Sequence, residues 1–421
     1  MSPSHSRPSG WTIVWAAFTI AVFGWGVGFY GPPVFLHAVV SRHGWPLDLV
    51  STAVTVHYLV GAAAVTQLPR LYDHHGLARM TIVGGFATVV GLAGWSLSTA
   101  PWQLFIASLA SGLGWALTGA FAINMMVSPW FDRRRPAALS LAYNGASVGG
   151  VVFSPLWLIA IERVGFPTAA IAIGLCMGLV LLILSKTCFG IVPTAGDVDA
   201  DRRSGTPPAQ ASQTSNSHRL PVPSLWRDRR FLTYVAGFSL GLFVQVGVIA
   251  HLVSLLIPTL GAAWAGLAAG FATACAIAGR TLVGWFMPPE ADRRIVAAAT
   301  YAVQACGCLL FAVAGGDSVI LIAAGIVLFG LGIGNVTSLP PLIAQAEFAR
   351  ADVARVVAYG TAVSQATYAF APAVFGLIRT WTPHPDPAAN PDVPLFFVAA
   401  AFGQVIAAFF YLAGRPIPER R

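Results

Sequence analysis

Long apolar runs separated by short polar breaks dominate this chain. Twelve such runs can be marked, each of about 20 residues or more, enough to cross a hydrocarbon core of about 30 Å. Six come first: Trp11–Val40, Leu49–Leu71, Met80–Leu97, Trp102–Trp130, Ala137–Ile161 and Phe166–Phe189. Six follow: Phe231–Pro258, Ala262–Met287, Ile295–Ala314, Ser318–Ala346, Val356–Ile378 and Pro394–Ala413. In lipid the backbone must satisfy its own hydrogen bonds, so runs of this length predict helices. The pattern predicts an all-α polytopic membrane protein.

The stretch between the two sets, Ile191 to Arg230, is rich in Pro, Ser, Thr, Asp and Arg, with Thr206-Pro207-Pro208 and Gln213-Thr214-Ser215-Asn216 inside it. It cannot bury a core and reads as a flexible linker. The expected organisation is an N-terminal six-helix bundle at 1–189, a cytoplasmic linker at 190–230 and a C-terminal six-helix bundle at 231–421. The bundles share landmarks at one interval: Gly44 with Gly261, Phe131 with Phe348, and Pro155 with Pro372. Gly112-Leu113-Gly114 and Gly330-Leu331-Gly332 match at an interval one residue longer. Duplicated six-span halves predict a pseudo-symmetric fold, a substrate site near the midplane where the halves meet, and alternating access by rocking of one half on the other.

Composition changes this picture little: 56% of residues are hydrophobic and 10% charged. Charge placement adds orientation. With the N-terminus inside, nearly all of the 24 Lys and Arg residues fall on the cytoplasmic side, leaving Arg42, Arg163 and Arg379 opposite and Arg280 in the membrane. That asymmetry predicts a multi-pass protein of the inner (plasma) membrane with both termini cytoplasmic. The net charge of +8 belongs to it and not to a nucleic-acid surface. Trp45, Trp102, Trp130, Trp264 and Trp381 fall near run ends, as interfacial anchors do. The first run exceeds a signal-peptide core and lacks a clear small-residue cleavage site, so it is expected to be retained. The five cysteines lie in or beside apolar runs and read as small packing residues. His74-His75 lacks a ligand spacing and a third ligand, so no metal is expected. No G-x-x-x-x-G-K-[ST] loop is present, and no cofactor is expected.

The candidate chemistry centres on Arg280. No Asp or Glu falls inside any run, and Arg280 is the one charge in their interior away from the ends. A guanidinium at membrane depth costs at least ~2.5 kcal/mol and is a functional candidate by default. Its neighbours Ala276, Ile277, Ala278, Gly279 and Thr281 are mostly small and leave room for a ligand. Its planar fork suits a carboxylate, and the anion of a substrate is the partner it calls for. The competing reading is an Arg bonded to backbone carbonyls or snorkelling to the nearby span end. Polar residues unsuited to lipid complete a candidate pocket: Tyr30, Asn124, Gln245, Asn335 and Gln365. Their alternative role is as interhelical hydrogen-bond glue. His37, His57 and His251 are the groups that can carry a proton near neutral pH, with packing as the alternative for each. Tyr30 and His37, seven residues apart, share a helix face beside the Gly31-Pro32-Pro33 break. Gly145, Gly149 and Gly150 suit close helix approach.

The loop after the second run reads Leu71-Tyr72-Asp73-His74-His75-Gly76-Leu77-Ala78-Arg79. It resembles the G-x-L-x-D-R-x-G-R motif of the major facilitator superfamily, keeping Leu71, Asp73, Gly76 and a displaced Arg79, with Pro69 and His74 as departures. The resemblance implies the major facilitator fold and a cytoplasmic gate at Asp73 and Arg79. The later loop keeps Gly284 and Arg293-Arg294 but has Pro288 at the acidic position. Tyr30-Gly31-Pro32-Pro33, Gly44-Trp45, Trp130-Phe131-Asp132-Arg133-Arg134, Asn144-Gly145 and Gly279-Arg280 resemble the oxalate–formate exchanger and monocarboxylate-transporter branch. That branch implies Arg280 as the substrate-carboxylate ligand. The exchanger's second cation is missing, since Val356 to Ile378 holds no Lys, Arg or His. One positive charge favours a monoanion. The Asp that animal monocarboxylate transporters place one turn before the Arg is Ala276 here.

The expected function is a secondary transporter, an antiporter or symporter for a small organic anion of the monocarboxylate class. It is expected to work as a monomer in the lipid bilayer, with protons as a candidate coupling ion. Two alternatives stand beside it: efflux of drugs or amphiphiles by the same fold, and a membrane ligand sensor that does not transport. An enzyme is not expected, because the runs hold no acidic pair and no metal spacing.

Overall fold

The computed structural model describes residues 9–191, 222–288, 290–315, 318–379 and 393–415. Residues 192–221 of the expected linker, Trp381, and the extreme termini lie outside the described residues. The chain divides into two compact units, Met1–Asn216 and Ser217–Arg421. The first holds α1 (Gly10–Gly28), α2 (Gly31–His43), α3 (Leu47–Val65), α4 (Leu68–His75), α5 (Leu77–Leu97), α6 (Pro101–Thr118), α7 (Ala120–Val127), α8 (Arg135–Val164) and α9 (Phe166–Thr187). The second holds α10 (Val222–Leu225), α11 (Arg229–Leu260), α12 (Ala262–Phe286), α13 (Arg293–Ala314), α14 (Val319–Ile333), α15 (Asn335–Glu347), α16 (Arg350–Tyr368), α17 (Ala371–Arg379) and α18 (Val393–Ala413). Among the described residues there is no strand. Among the described residues, eleven helical stretches are long and apolar enough to span a bilayer, and counting the bent pair α3–α4 as one span makes twelve.

The units repeat one packing scheme. In the first, α1 lies on α8, α3 on α6, and α5 on α6 and α9. In the second, α11 lies on α16, α12 on α14, and α13 on α14 and α18. Span for span, these are the same pairings. The shared landmarks have matching jobs. Gly44 and Gly261 close spans one and seven at φ of 66° and 76°, a left-handed conformation that costs glycine nothing. Phe131 and Phe348 both end their helices in extended backbone.

Glycine also sets the closest crossings. A Cβ on Gly145 or Gly149 would run into the carbonyls of Phe18 and Val22, so α1 and α8 touch backbone to backbone as the sequence predicts. Gly150 instead receives the ring of Tyr30.

Several runs that read as single spans are broken. Span one stops at Gly28 and resumes at Gly31, while α3 and α4 meet at 58°. Span four is interrupted at Gly119, span ten at Gly334 and span eleven at Ala369–Phe370. Proline explains the first two breaks: Pro32, Pro33 and Pro69 begin helices, where a missing N–H is tolerated.

Candidate functional site

In the first unit the break in span one organises the polar residues. Pro32 and Pro33 have no amide hydrogen, so the carbonyls of Gly28 and Phe29, four residues earlier, lose their helical donors. Adjacent residues of α3 replace them: His57 Nε2 donates to Gly28 O at 3.0 Å and Tyr58 Oη to Phe29 O at 3.0 Å. The Tyr30 amide bonds to Trp25 O, and Trp157 Nε1 donates to Gly26 O at 3.1 Å. His57 Nε2 therefore carries the ring proton, and Nδ1 accepts from Ser111 Oγ at 2.8 Å. Trp95 Nε1 donates to that same hydroxyl at 3.1 Å. His57 is a buried bridge among spans one, two and four.

The other first-unit residues sit around this frame. Asn124 is buried on α7 and accepts a hydrogen bond from Ser128 Oγ at 2.7 Å. His37 is exposed on α2, and Tyr30 is half-buried beside Gly150. Asp73 and Arg79 are both exposed, on either side of the Gly76 turn with its φ of 78°.

In the second unit the candidate residues gather where spans eight and ten cross. A Cβ on Gly279 would strike the Leu331 carbonyl, one on Gly330 the Ala272 carbonyl, and one on Gly334 the Ala276 carbonyl. Glycine on both helices lets the backbones approach this closely, as in small-xxx-small crossings. The crossing seats Arg280, 3% exposed, with Nε donating to Gly334 O at 2.7 Å. That bond fixes the plane of the guanidinium through a neutral acceptor. Gly334 is also the break in span ten, so the helix interruption and the anchoring of Arg280 are one feature.

Asn335 follows immediately and is 3% exposed. Its Nδ2 donates to Leu331 O at 3.4 Å, the carbonyl that Gly279 packs against, while Oδ1 has no hydrogen-bond partner. Gln245 is buried and accepts from Gln304 Nε2 at 2.8 Å. Gln365 is buried on α16. His251 Nε2 lies 2.9 Å from Pro372 O, to which it donates. Gln304 was legible in principle as an amide inside an apolar run, yet the sequence reading passed over it.

A second cluster that the sequence reading missed lies at the end of this unit near the start of α13. Arg294 is fully buried and grips Glu347 through two parallel bonds, Nε to Oε1 at 2.6 Å and Nη2 to Oε2 at 2.8 Å. Its remaining donors reach Thr233 Oγ1 at 2.9 Å and Arg230 O at 2.7 Å. Asp292 caps α13 through the amides of Arg294 and Ile295 and pairs with Arg415 Nε at 2.6 Å. Burial alone would raise the Asp292 carboxyl, but Arg415 and the two amides outweigh it and hold the pKa below the usual range. Glu347 ends span ten, and only the fold shows that it meets Arg294.

Comparison with known proteins agrees with this architecture. The chain is 27% identical over 316 residues to MFS-type transporter 1 of Ophiocordyceps sp. (strain BCC 1869), covering 72% of this chain and 63% of that protein. It is 27% identical over 294 residues to monocarboxylate transporter 13 of Bos taurus, covering 66% and 61%. It therefore spans less than two thirds of either relative's length. The solved structure of the human organic anion transporter MFSD10 (TETRAN) superposes with a TM-score of 0.67 at 13% identity, covering 96% of this chain and all of that one, a likeness of fold. The Major Facilitator Superfamily model matches residues 14–372, and the chain, with its two units of one packing scheme, belongs to that superfamily.

Proposed function

We propose that the chain is a secondary carrier of a small organic monoanion, a monocarboxylate, working by alternating access in an inner (plasma) membrane with both termini cytoplasmic. The observation that carries this reading is Arg280. It is buried in the interior of a span, and its Nε is pinned to the Gly334 carbonyl at 2.7 Å. A guanidinium whose plane is already set loses little freedom when a carboxylate meets its terminal nitrogens in a two-bond fork. Gln365, buried on α16 of the same unit, is a further polar residue of the spans and supports an acid with a polar tail.

The substrate gradient, exchange or a proton supplies the energy. His57 and His251 donate to backbone carbonyls, so a proton-carrying role falls to His37, exposed on the segment after the break. His37→Gln is expected to leave binding intact and flatten the pH dependence of uptake into proteoliposomes. Unchanged pH dependence would remove the histidine from coupling.

The binding test is a thermal-shift panel of small acids, amines and amphiphiles on purified wild type, Arg280→Lys and Arg280→Gln. A ligand at a hundred times its dissociation constant stabilises by about 2.7 kcal/mol, a readable shift. Acids should stabilise wild type, Arg280→Lys more weakly because a single ammonium cannot form the fork, and Arg280→Gln not at all. Stabilisation by amphiphiles alone, equal in all three proteins, would replace the monocarboxylate reading with efflux.

A further inference from the structure

The crossing that seats Arg280 also holds an unmet hydrogen-bond acceptor. Asn335 is 3% exposed, and its Oδ1 has no partner in a region where an unpaired buried polar atom is costly. The orientation of the amide is dictated by its surroundings: Nδ2 faces the Leu331 carbonyl, and two carbonyl oxygens would repel. The Leu331 carbonyl lies against Gly279, the residue before Arg280, and Asn335 follows Gly334, whose carbonyl holds the Arg280 side chain. Sequence adjacency on span ten and the packed contact with span eight put Asn335 at the same helix crossing as Arg280.

Resting on Arg280 as the carboxylate site, we propose that Asn335 reads a hydrogen-bond donor next to the carboxylate. The substrate class is then a hydroxy-monocarboxylate, and not a plain short-chain acid. The carboxylate meets the Arg280 fork and the hydroxyl hydrogen goes to Asn335 Oδ1. An acid without a donor leaves that oxygen unpaired in the closed site, which is how a polar pocket rejects an analogue lacking a hydroxyl. The need runs one way. Oδ1 only accepts, so a keto oxygen in the hydroxyl's place meets it oxygen to oxygen and is disfavoured as well.

Matched pairs test this: glycolate with acetate, lactate with propionate, and 3-hydroxybutyrate with butyrate, measured by thermal shift and by competition in proteoliposomes. Wild type, Asn335→Leu, Asn335→Ser and Arg280→Gln are compared. Wild type should favour the hydroxylated member of at least one pair by about tenfold or more, the worth of one buried hydrogen bond. Asn335→Leu should abolish that preference while still binding the plain acid, and Asn335→Ser, which restores an acceptor, should recover part of it. The ratio is read within each variant, so a loss of folded protein cancels. Equal binding of both members by wild type, or a preference that survives in Asn335→Leu, overturns the role of Asn335 and leaves Arg280 standing. Acid binding that is absent, or undiminished in Arg280→Gln, overturns the carboxylate site and this inference with it.

Discussion

At the scale of single residues, the strongest constraints are charges and carbonyls with one available partner. Buried Arg294 and partly buried Glu347 form a two-bond pair. Removing one member leaves the other charge buried without its counter-charge, so Arg294→Gln or Glu347→Gln is expected to cost about 3–5 kcal/mol. Arg294→Leu with Glu347→Leu should recover part of that loss, and unfolding in detergent at neutral pH measures all three. If both single variants unfold like wild type, the pair does not hold this end of the unit. His57→Leu is expected to cost about 1–3 kcal/mol by leaving the carbonyl released by Pro32 without a donor. Asp292 adds a pH dependence. Its folded pKa lies below the unfolded value, so its contribution is present above about pH 4 and is lost as pH falls through the folded pKa. Its pairing with Arg415 is largely exposed and contributes no more than about 1 kcal/mol. Asp292→Asn should therefore lower the neutral plateau by no more than about 1 kcal/mol and make the acid limb of a stability–pH profile shallower. His57 itself was evident from the sequence, but not its task, because the carbonyl it satisfies belongs to another helix.

At the scale of elements, spans eight and ten are defined by which glycines face which carbonyls. Gly334→Ala would push a methyl group into the Ala276 carbonyl and the Arg280 side chain. Overpacking of this kind typically costs 1–3 kcal/mol. Here it should also weaken acid-induced stabilisation, since Arg280 would lose its carbonyl anchor. Gly266 provides the control, because a Cβ there meets nothing within 4 Å. Gly266→Ala, on the same α12, should be neutral or stabilise by up to about 1 kcal/mol and leave ligand response intact. Equal ligand responses in the two variants would sever the crossing from the site. The breaks divide by cause. Those at Pro32–Pro33 and Pro69 were readable, since proline cannot donate. Those at Gly119 and Gly334 were not, since glycine within an apolar run is as often a packing residue as a hinge.

At the scale of the whole molecule, the two units repeat one set of helix pairings, and the positive-inside asymmetry predicts the side of each loop. Single cysteines introduced at Arg42 and Arg79, in a background without the native five, should differ in intact cells. An impermeant maleimide should label position 42 from outside, and position 79 only after lysis. Labelling of both from outside would invert or break the proposed topology.

The chain by itself determined that the protein is helical, that its helices are of membrane length, that they come in two sets on one plan, and that one cation lies in a span's interior. These are properties of local hydrophobic length and of repetition along a line, which neighbours in space do not alter. Tertiary structure alone decided that Pro32's lost hydrogen bond would be repaired by His57, that Gln304 would meet Gln245, that Glu347 would close on Arg294, and that Gly334 would hold Arg280. Those bonded pairs lie 29 to 59 residues apart in the chain. In lipid a polar group takes whichever partner the packed helices bring within 3 Å or so, and only the crossing of helices selects it.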